Sequence, residues 1–127
     1  MRKNTECRRV LIVEDLETIS IAYADQMERA GYEPVVVRTA AEALAFLDSA
    51  NDLAAILLDL QLPDADGLVL LQDHPDFLSR HAVIVVTSDA SLSRAIAAMR
   101  LGAFDYLVKP VSGDRLVAAV DSASTNR

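Results

Sequence analysis

Along this chain, short apolar runs alternate with stretches in which apolar positions recur every three or four residues. The runs, rich in β-branched side chains, fall at Val10–Val13, Pro34–Val37, Ala54–Leu58, Ala82–Val86 and Phe104–Val108. Most are continuously hydrophobic rather than alternating, as strands covered on both faces are. Between them the spacing predicts helices. Ile19, Tyr23, Met27 and Ala30 share one face before Gly31 supplies a stop. A second helix covers Ala40–Leu47, with Ala43, Leu44 and Leu47 inward, and a short third covers about Gly67 to Asp73. Ser91 caps a fourth that carries Leu92, Ala95, Ile96 and Met99 and ends at Gly102. In it Ile96 and Met99 are expected in the core, with Ala97, Ala98 and Arg100 outward. Ser112 opens a fifth, with Leu116, Val117 and Val120 inward.

Five strands alternating with five helices predict an α/β fold, a parallel sheet with helices on both faces. The whole of 1–127 reads as one domain, its core at about 9–122, with tails before residue 9 and from about Ser124 expected to fray. The second strand ends at Arg38-Thr39 without an acid, which fits a strand at the sheet margin. In open α/β sheets the ligand crevice lies beyond the strand C-termini. Candidate chemistry should therefore follow the strands.

It does. The first strand runs into Glu14 and Asp15, the third into Asp59, the fourth into Thr87 and Ser88, and the fifth into Lys109-Pro110. Singly, each residue reads as a helix cap, a turn residue or a solvated lysine. Together, at successive strand ends, they bring three carboxylates, a hydroxyl and an ammonium to one sheet edge. Three carboxylates repel one another, and a hard divalent cation, Mg²⁺ above all, is their natural neutraliser in the absence of nearby Cys or His. With Lys109 and Thr87 beside it, Asp59 could act as a carboxylate nucleophile toward a phosphoryl group.

Composition narrows the function classes. Apolar residues make up 52% and charged residues 24% of the 127, which argues against disorder. Nineteen acidic against twelve basic side chains give a net charge of −7. Nucleic acid and anionic membrane both repel such a surface, so neither is an expected partner. Cys7 is the single cysteine, which excludes an internal disulfide and reads as adventitious. No membrane span or signal-peptide core is present, and a cytoplasmic location is expected.

The segments Val10-Leu-Ile-Val-Glu-Asp15, Ile56-Leu-Leu-Asp-Leu-Gln-Leu-Pro-Asp-Ala-Asp-Gly67, Val83-Ile-Val-Val-Thr-Ser88 and Gly102-Ala-Phe-Asp-Tyr-Leu-Val-Lys-Pro110 occur in one order and spacing. The sequence there resembles the receiver (phosphoacceptor) domain of two-component response regulators, from about Arg9 to Ser122. Ala97 to Pro110 looks most like receivers of NtrC-type and LuxO-type transcription activators.

The resemblance implies a doubly wound, flavodoxin-like sheet of order 2-1-3-4-5. It implies Asp59 as phosphoacceptor and Mg²⁺ held by Asp15 and Asp59, by Glu14 through water and by the Gln61 backbone carbonyl. Thr87 and Lys109 would contact the phosphoryl group, and the Lys109–Pro110 peptide would be cis. Tyr106 would swing inward as Thr87 moves, repacking a surface on the fourth helix, fifth strand and fifth helix. Gln61 and Asp89 would tune the lifetime of the acyl phosphate. A sensor histidine kinase or histidine phosphotransfer protein would donate the phosphoryl group, and a homodimer through the switching surface is plausible by family. Such a domain is not an enzyme beyond its own phosphorylation and dephosphorylation. The rival readings are an interaction module independent of phosphorylation and a phosphatase acting through an aspartyl phosphate. Asp64 and Asp66 read as solvated or turn-capping residues, and His74 and His81 as surface imidazoles.

Overall fold

Five strands, β1 (Arg9–Val13), β2 (Glu33–Val37), β3 (Ala55–Leu58), β4 (Val83–Thr87) and β5 (Asp105–Val108), pair in parallel in the order β2-β1-β3-β4-β5. The structure is a computed structural model that describes residues 9–49 and 52–125. The helices are α1 (Glu17–Arg29), α2 (Ala40–Ser49), α3 (Gly67–Asp73), α4 (Asp76–Arg80), α5 (Leu92–Leu101) and α6 (Gly113–Thr125). Strand bounds differ from the apolar runs by one residue at most, and β2 lies at the sheet margin as expected.

The doubly wound topology follows from the two-residue period of the strands. Val10 and Ile12 face a core with α1 and α6, built on Tyr23, Met27, Leu116 and Val120. Leu11 and Val13 face the opposite core with Ala43, Leu47, Leu71 and Phe77. β3 and β4 alternate in the same way, with Leu57 and Ile84 on the first side and Ile56, Leu58, Val83 and Val85 on the second. Every residue of β3 and β4 is buried.

Six helices stand where five were expected. Pro75 cannot continue α3, and its fixed φ of −61° instead starts the one-turn α4 that buries Phe77. With α4 counted, the fourth and fifth helices of the sequence reading are α5 and α6. α5 is correctly bounded: Ser91 Oγ accepts the Arg94 amide at 3.4 Å, and Gly102 closes the helix at φ 115°, a conformation open to glycine. Its apolar face is the reverse of that expected, although Arg100 is exposed as expected. Ala98 is fully buried, whereas Leu92, Ile96 and Met99 are exposed. Ala97, Ala98 and Leu101 form its inner side, and the larger apolar side chains of the first turns face outward. His81 is also buried rather than at the surface, while His74 is half-buried with its ring 5.9 Å from Phe77. α6 continues through Ser124 to Thr125, past the expected onset of fraying. Cys7 lies outside the described residues. No helix among the described residues is long and apolar enough to cross a membrane.

Candidate functional site

The strand register determines what meets at the C-terminal edge. Val13 pairs with Leu58, and the Asp59 amide donates to the Val13 carbonyl at 3.1 Å, so Glu14 and Asp59 leave the sheet side by side. Thr87 pairs with Val108, and the Lys109 amide donates to the Thr87 carbonyl at 2.8 Å. β5 thus delivers Lys109 to the same edge.

There Lys109 Nζ donates to Glu14 Oε1 at 2.7 Å and to Asp59 Oδ2 at 3.0 Å. Glu14 is 2% exposed and Asp59 5% exposed, so both contacts are shielded from water. Burial alone would lower the lysine pKa. The hydrogen bonds to Glu14 and Asp59, and the charges of both carboxylates, outweigh it and raise the pKa above the ordinary lysine value. The second oxygens are held as well: Glu14 Oε2 accepts the Leu16 amide at 3.1 Å and Asp59 Oδ1 accepts the Gln61 amide at 3.1 Å. Glu14 thus serves as a direct partner of the lysine, a contact the sequence reading did not contain.

Thr87 is fully buried, and its Oγ1 accepts the Asp89 amide at 3.3 Å. Tyr106 is half-buried and donates its hydroxyl to the Asp89 carbonyl at 2.8 Å. Asp15 stands at the edge next to Glu14, and its carbonyl accepts from Arg38 Nη2 at 3.1 Å, another contact without a sequence signal. The α1 N-cap is Leu16, without a side-chain cap bond, so Asp15 is not spent on capping. The Lys109–Pro110 peptide is cis.

The loop between β3 and α3 is tied on both sides. Asp64 accepts the Ala40 and Ala41 amides at 2.9 and 3.1 Å, capping α2 from a distant segment, and these bonds lower its pKa. Asp66 caps α3 through the Leu68 amide at 2.8 Å and meets Arg94 Nη2 at 2.6 Å. Capping, not metal ligation, accounts for both acids.

Glu14, Asp15 and Asp59 carry three negative charges against the one ammonium of Lys109, and all are hard oxygen donors. Among the described residues no three Asp, Glu, His or Cys side chains converge to cage an ion. Magnesium needs no such cage, because it commonly takes one or two carboxylates and completes its shell with water and other oxygens. The donor chemistry therefore fits that ion.

Residues 10–121 match the family described as response regulator receiver domain. Regulatory protein AtoC of Escherichia coli (strain K12) is 32% identical over 120 residues, which cover 94% of this chain and 26% of the relative. The chain thus spans about a quarter of that relative's length. Among solved structures, the beryllofluoride-activated NtrC4 receiver domain dimer superposes with a TM-score of 0.86 at 30% identity, covering 94% of this chain and 98% of that one. A Burkholderia pseudomallei response regulator, solved with a phosphorylated aspartic acid, a calcium ion and citrate, gives 0.81 at 28% identity, covering 94% and 69%. The fold, the order of its strands and the match over nearly its full length agree: the chain belongs to the response regulator receiver domain family of two-component systems.

Proposed function

We propose that this receiver accepts a phosphoryl group on Asp59 and passes the event to a partner or output domain through α5, β5 and α6. The carrying observation is Lys109 Nζ at 3.0 Å from the Asp59 carboxylate, beside the fully buried Thr87 at the neighbouring strand end. An Asp59 oxygen attacks the phosphorus of a phosphohistidine or acyl phosphate. A new O–P bond forms, the bond to the leaving group breaks, and the leaving group departs with its electron pair. The Lys109 ammonium and the Thr87 hydroxyl are the groups on hand to meet the phosphoryl oxygens, and preorganised donors of this kind favour in-line transfer. Asp15, Asp59 and the Gln61 carbonyl would hold Mg²⁺, with Glu14 acting through water, and the ion would offset charge on the phosphoryl oxygens.

Gln61 and Asp89, in the two loops beside Asp59, are placed to tune hydrolysis of the acyl phosphate. The exposed Leu92, Ile96, Met99 and Val108 support an output surface on α5 and β5, suited to an output domain or a second copy. A histidine kinase or phosphotransfer protein in the cytoplasm is the proposed donor, and transcriptional control the proposed outcome.

The test is intact mass after incubation with acetyl phosphate and Mg²⁺. The expected result is a single hydroxylamine-labile phosphoryl adduct, lost in Asp59→Asn and without metal. No adduct in the native protein with acetyl phosphate or with a panel of histidine kinases would move the function to a phosphorylation-independent interaction module. Tyr106 supplies a second prediction. Its bond to the Asp89 carbonyl should give way to another rotamer in the phosphorylated protein, and one shared rotamer in both states would remove Tyr106 from the switch.

A further inference from the structure

Three polar groups of Asp89 are hydrogen-bonded and the fourth is held by charge alone, and they connect elements that the chemistry needs to move. Its amide donates to Thr87 Oγ1 at 3.3 Å, its carbonyl accepts the Tyr106 hydroxyl at 2.8 Å, and Oδ1 accepts the Ser91 amide at 2.9 Å. The remaining oxygen, Oδ2, lies 2.9 Å from Arg94 Nε. The other arm of Arg94 reaches across to Asp66 Oδ1 at 2.6 Å, on the loop that follows Asp59. One planar guanidinium thus joins the two loops that flank the phosphoacceptor. The Asp66 arm is a hydrogen bond and the Asp89 arm an ion pair without hydrogen-bond alignment, so the bridge to the loop after β4 is electrostatic. Both carboxylates are anchored behind it. Asp66 caps α3 and forms an isolated bridge with Gln61, while Asp89 is tied to Thr87, Ser91 and Tyr106.

We infer that Arg94 is a latch that holds the loop after β4 in its resting arrangement, and so sets how readily Thr87 turns to a phosphoryl group on Asp59. The inference rests on the phosphoacceptor reading of Asp59. For the Thr87 hydroxyl to advance toward Asp59, the long bond from the Asp89 amide must stretch or Asp89 must follow. Asp89 follows only by pulling its carboxylate away from Arg94 or by drawing Arg94 off Asp66. The side chains of Arg94 and Asp89 are 29% and 25% exposed, so the pair is screened less than a fully solvated one. Arg94 acts here through other residues and is a positioning residue.

The experiment titrates the protein with beryllofluoride in the presence of Mg²⁺, read by fluorine NMR, alongside amide hydrogen exchange without beryllofluoride. Arg94→Gln should bind the phosphoryl mimic about fivefold more tightly than the native protein, the scale of a partly shielded ion pair. Exchange at the Asp89 and Ser91 amides should quicken by a similar factor, while the Ile12 and Leu57 amides in the core stay protected. Asp66→Asn keeps the α3 cap, since Asn caps as well as Asp, and should shift both readouts in the same direction by less. The double variant should bind no more tightly than Arg94→Gln alone, because both changes open one latch. Unchanged or weaker binding by Arg94→Gln, or loop exchange no faster than native, overturns the latch. A native protein that takes up no beryllofluoride overturns the phosphoacceptor reading itself.

Discussion

Lys109→Met is expected to lower the unfolding free energy by about 2–3 kcal/mol at neutral pH, somewhat below the full figure for breaking a buried pair because the lysine side chain itself is 11% exposed. The ammonium is the shared partner of two carboxylates that are almost wholly buried, Glu14 at 2.7 Å and Asp59 at 3.0 Å. Methionine preserves much of the side-chain volume and removes the charge, so the loss reports two uncompensated acids rather than a cavity. Adding Glu14→Gln to Lys109→Met should recover part of the deficit, since it removes one of those acids. The pH dependence has a definite sign. The folded-state pKa of Lys109 is raised, so its contribution is fully present below the ordinary lysine value and is lost as pH rises through the folded one. The stability gap between native protein and variant should stay level from neutral pH upward and close above about pH 10.5. Urea denaturation across that range measures it. A variant as stable as the native protein at pH 7 would show that the site tolerates its bare carboxylates. On the proposed reaction, the same substitution should slow phosphoryl uptake from acetyl phosphate about a hundredfold, the usual consequence of losing one preorganised charge.

Gly67→Ala should be comparably damaging for a different reason. A Cβ on Gly67 would stand 2.8 Å from the Leu60 Cα and 2.9 Å from the Asp59 carbonyl oxygen, both backbone atoms that no rotamer change can move aside. The Gly67 amide also donates to the Leu60 carbonyl at 2.7 Å, so α3 starts pressed against the residues that carry the phosphoacceptor. The expected cost is about 2–3 kcal/mol, at the upper end for overpacking a closed site. Because the strain falls on the Asp59–Leu60 backbone, phosphoryl uptake should slow as well. Val69→Ala, two residues along the same helix on its exposed side, is the control and should change stability by no more than about 0.5 kcal/mol. Equal stability of Gly67→Ala and native protein would mean that α3 can withdraw from β3 without cost.

The two substitutions separate what was legible in the sequence from what was not. Lys109 was legible. Strands buried on both faces leave long apolar runs, a parallel sheet aligns their C-terminal ends, and any charged residue just past a run is thereby placed. The same reasoning located Glu14, Asp15, Asp59 and Thr87 along the edge. Which atoms touch was not legible: the lysine pairs with Glu14 as closely as with Asp59, and nothing in a linear string distinguishes those partners. The Arg94 bridge and the Asp64 cap on α2 were hidden because each joins loops far apart in sequence through one side-chain geometry. Helical periodicity located α5 but not its orientation. A stripe of Leu92, Ile96 and Met99 and a face containing Ala98 are both consistent with a helix, and close packing selected the smaller residues. α4 escaped because a helix of five residues is shorter than the window in which periodicity can be seen.

The alternation of β1, β3 and β4 between two cores bears on how such a domain can change over time. Leu11 and Ile12 are neighbours in the chain yet look into different interiors, so each makes its core contacts with a different set of side chains. Mutational losses on the α1–α6 side and on the α2–α5 side should therefore add rather than compound. Each helical layer can drift, or be refitted to a new binding partner, without repacking the other, while both draw on the single stability of the domain. The residues that face both constraints at once are the few at the strand ends, where the two layers meet over Asp59.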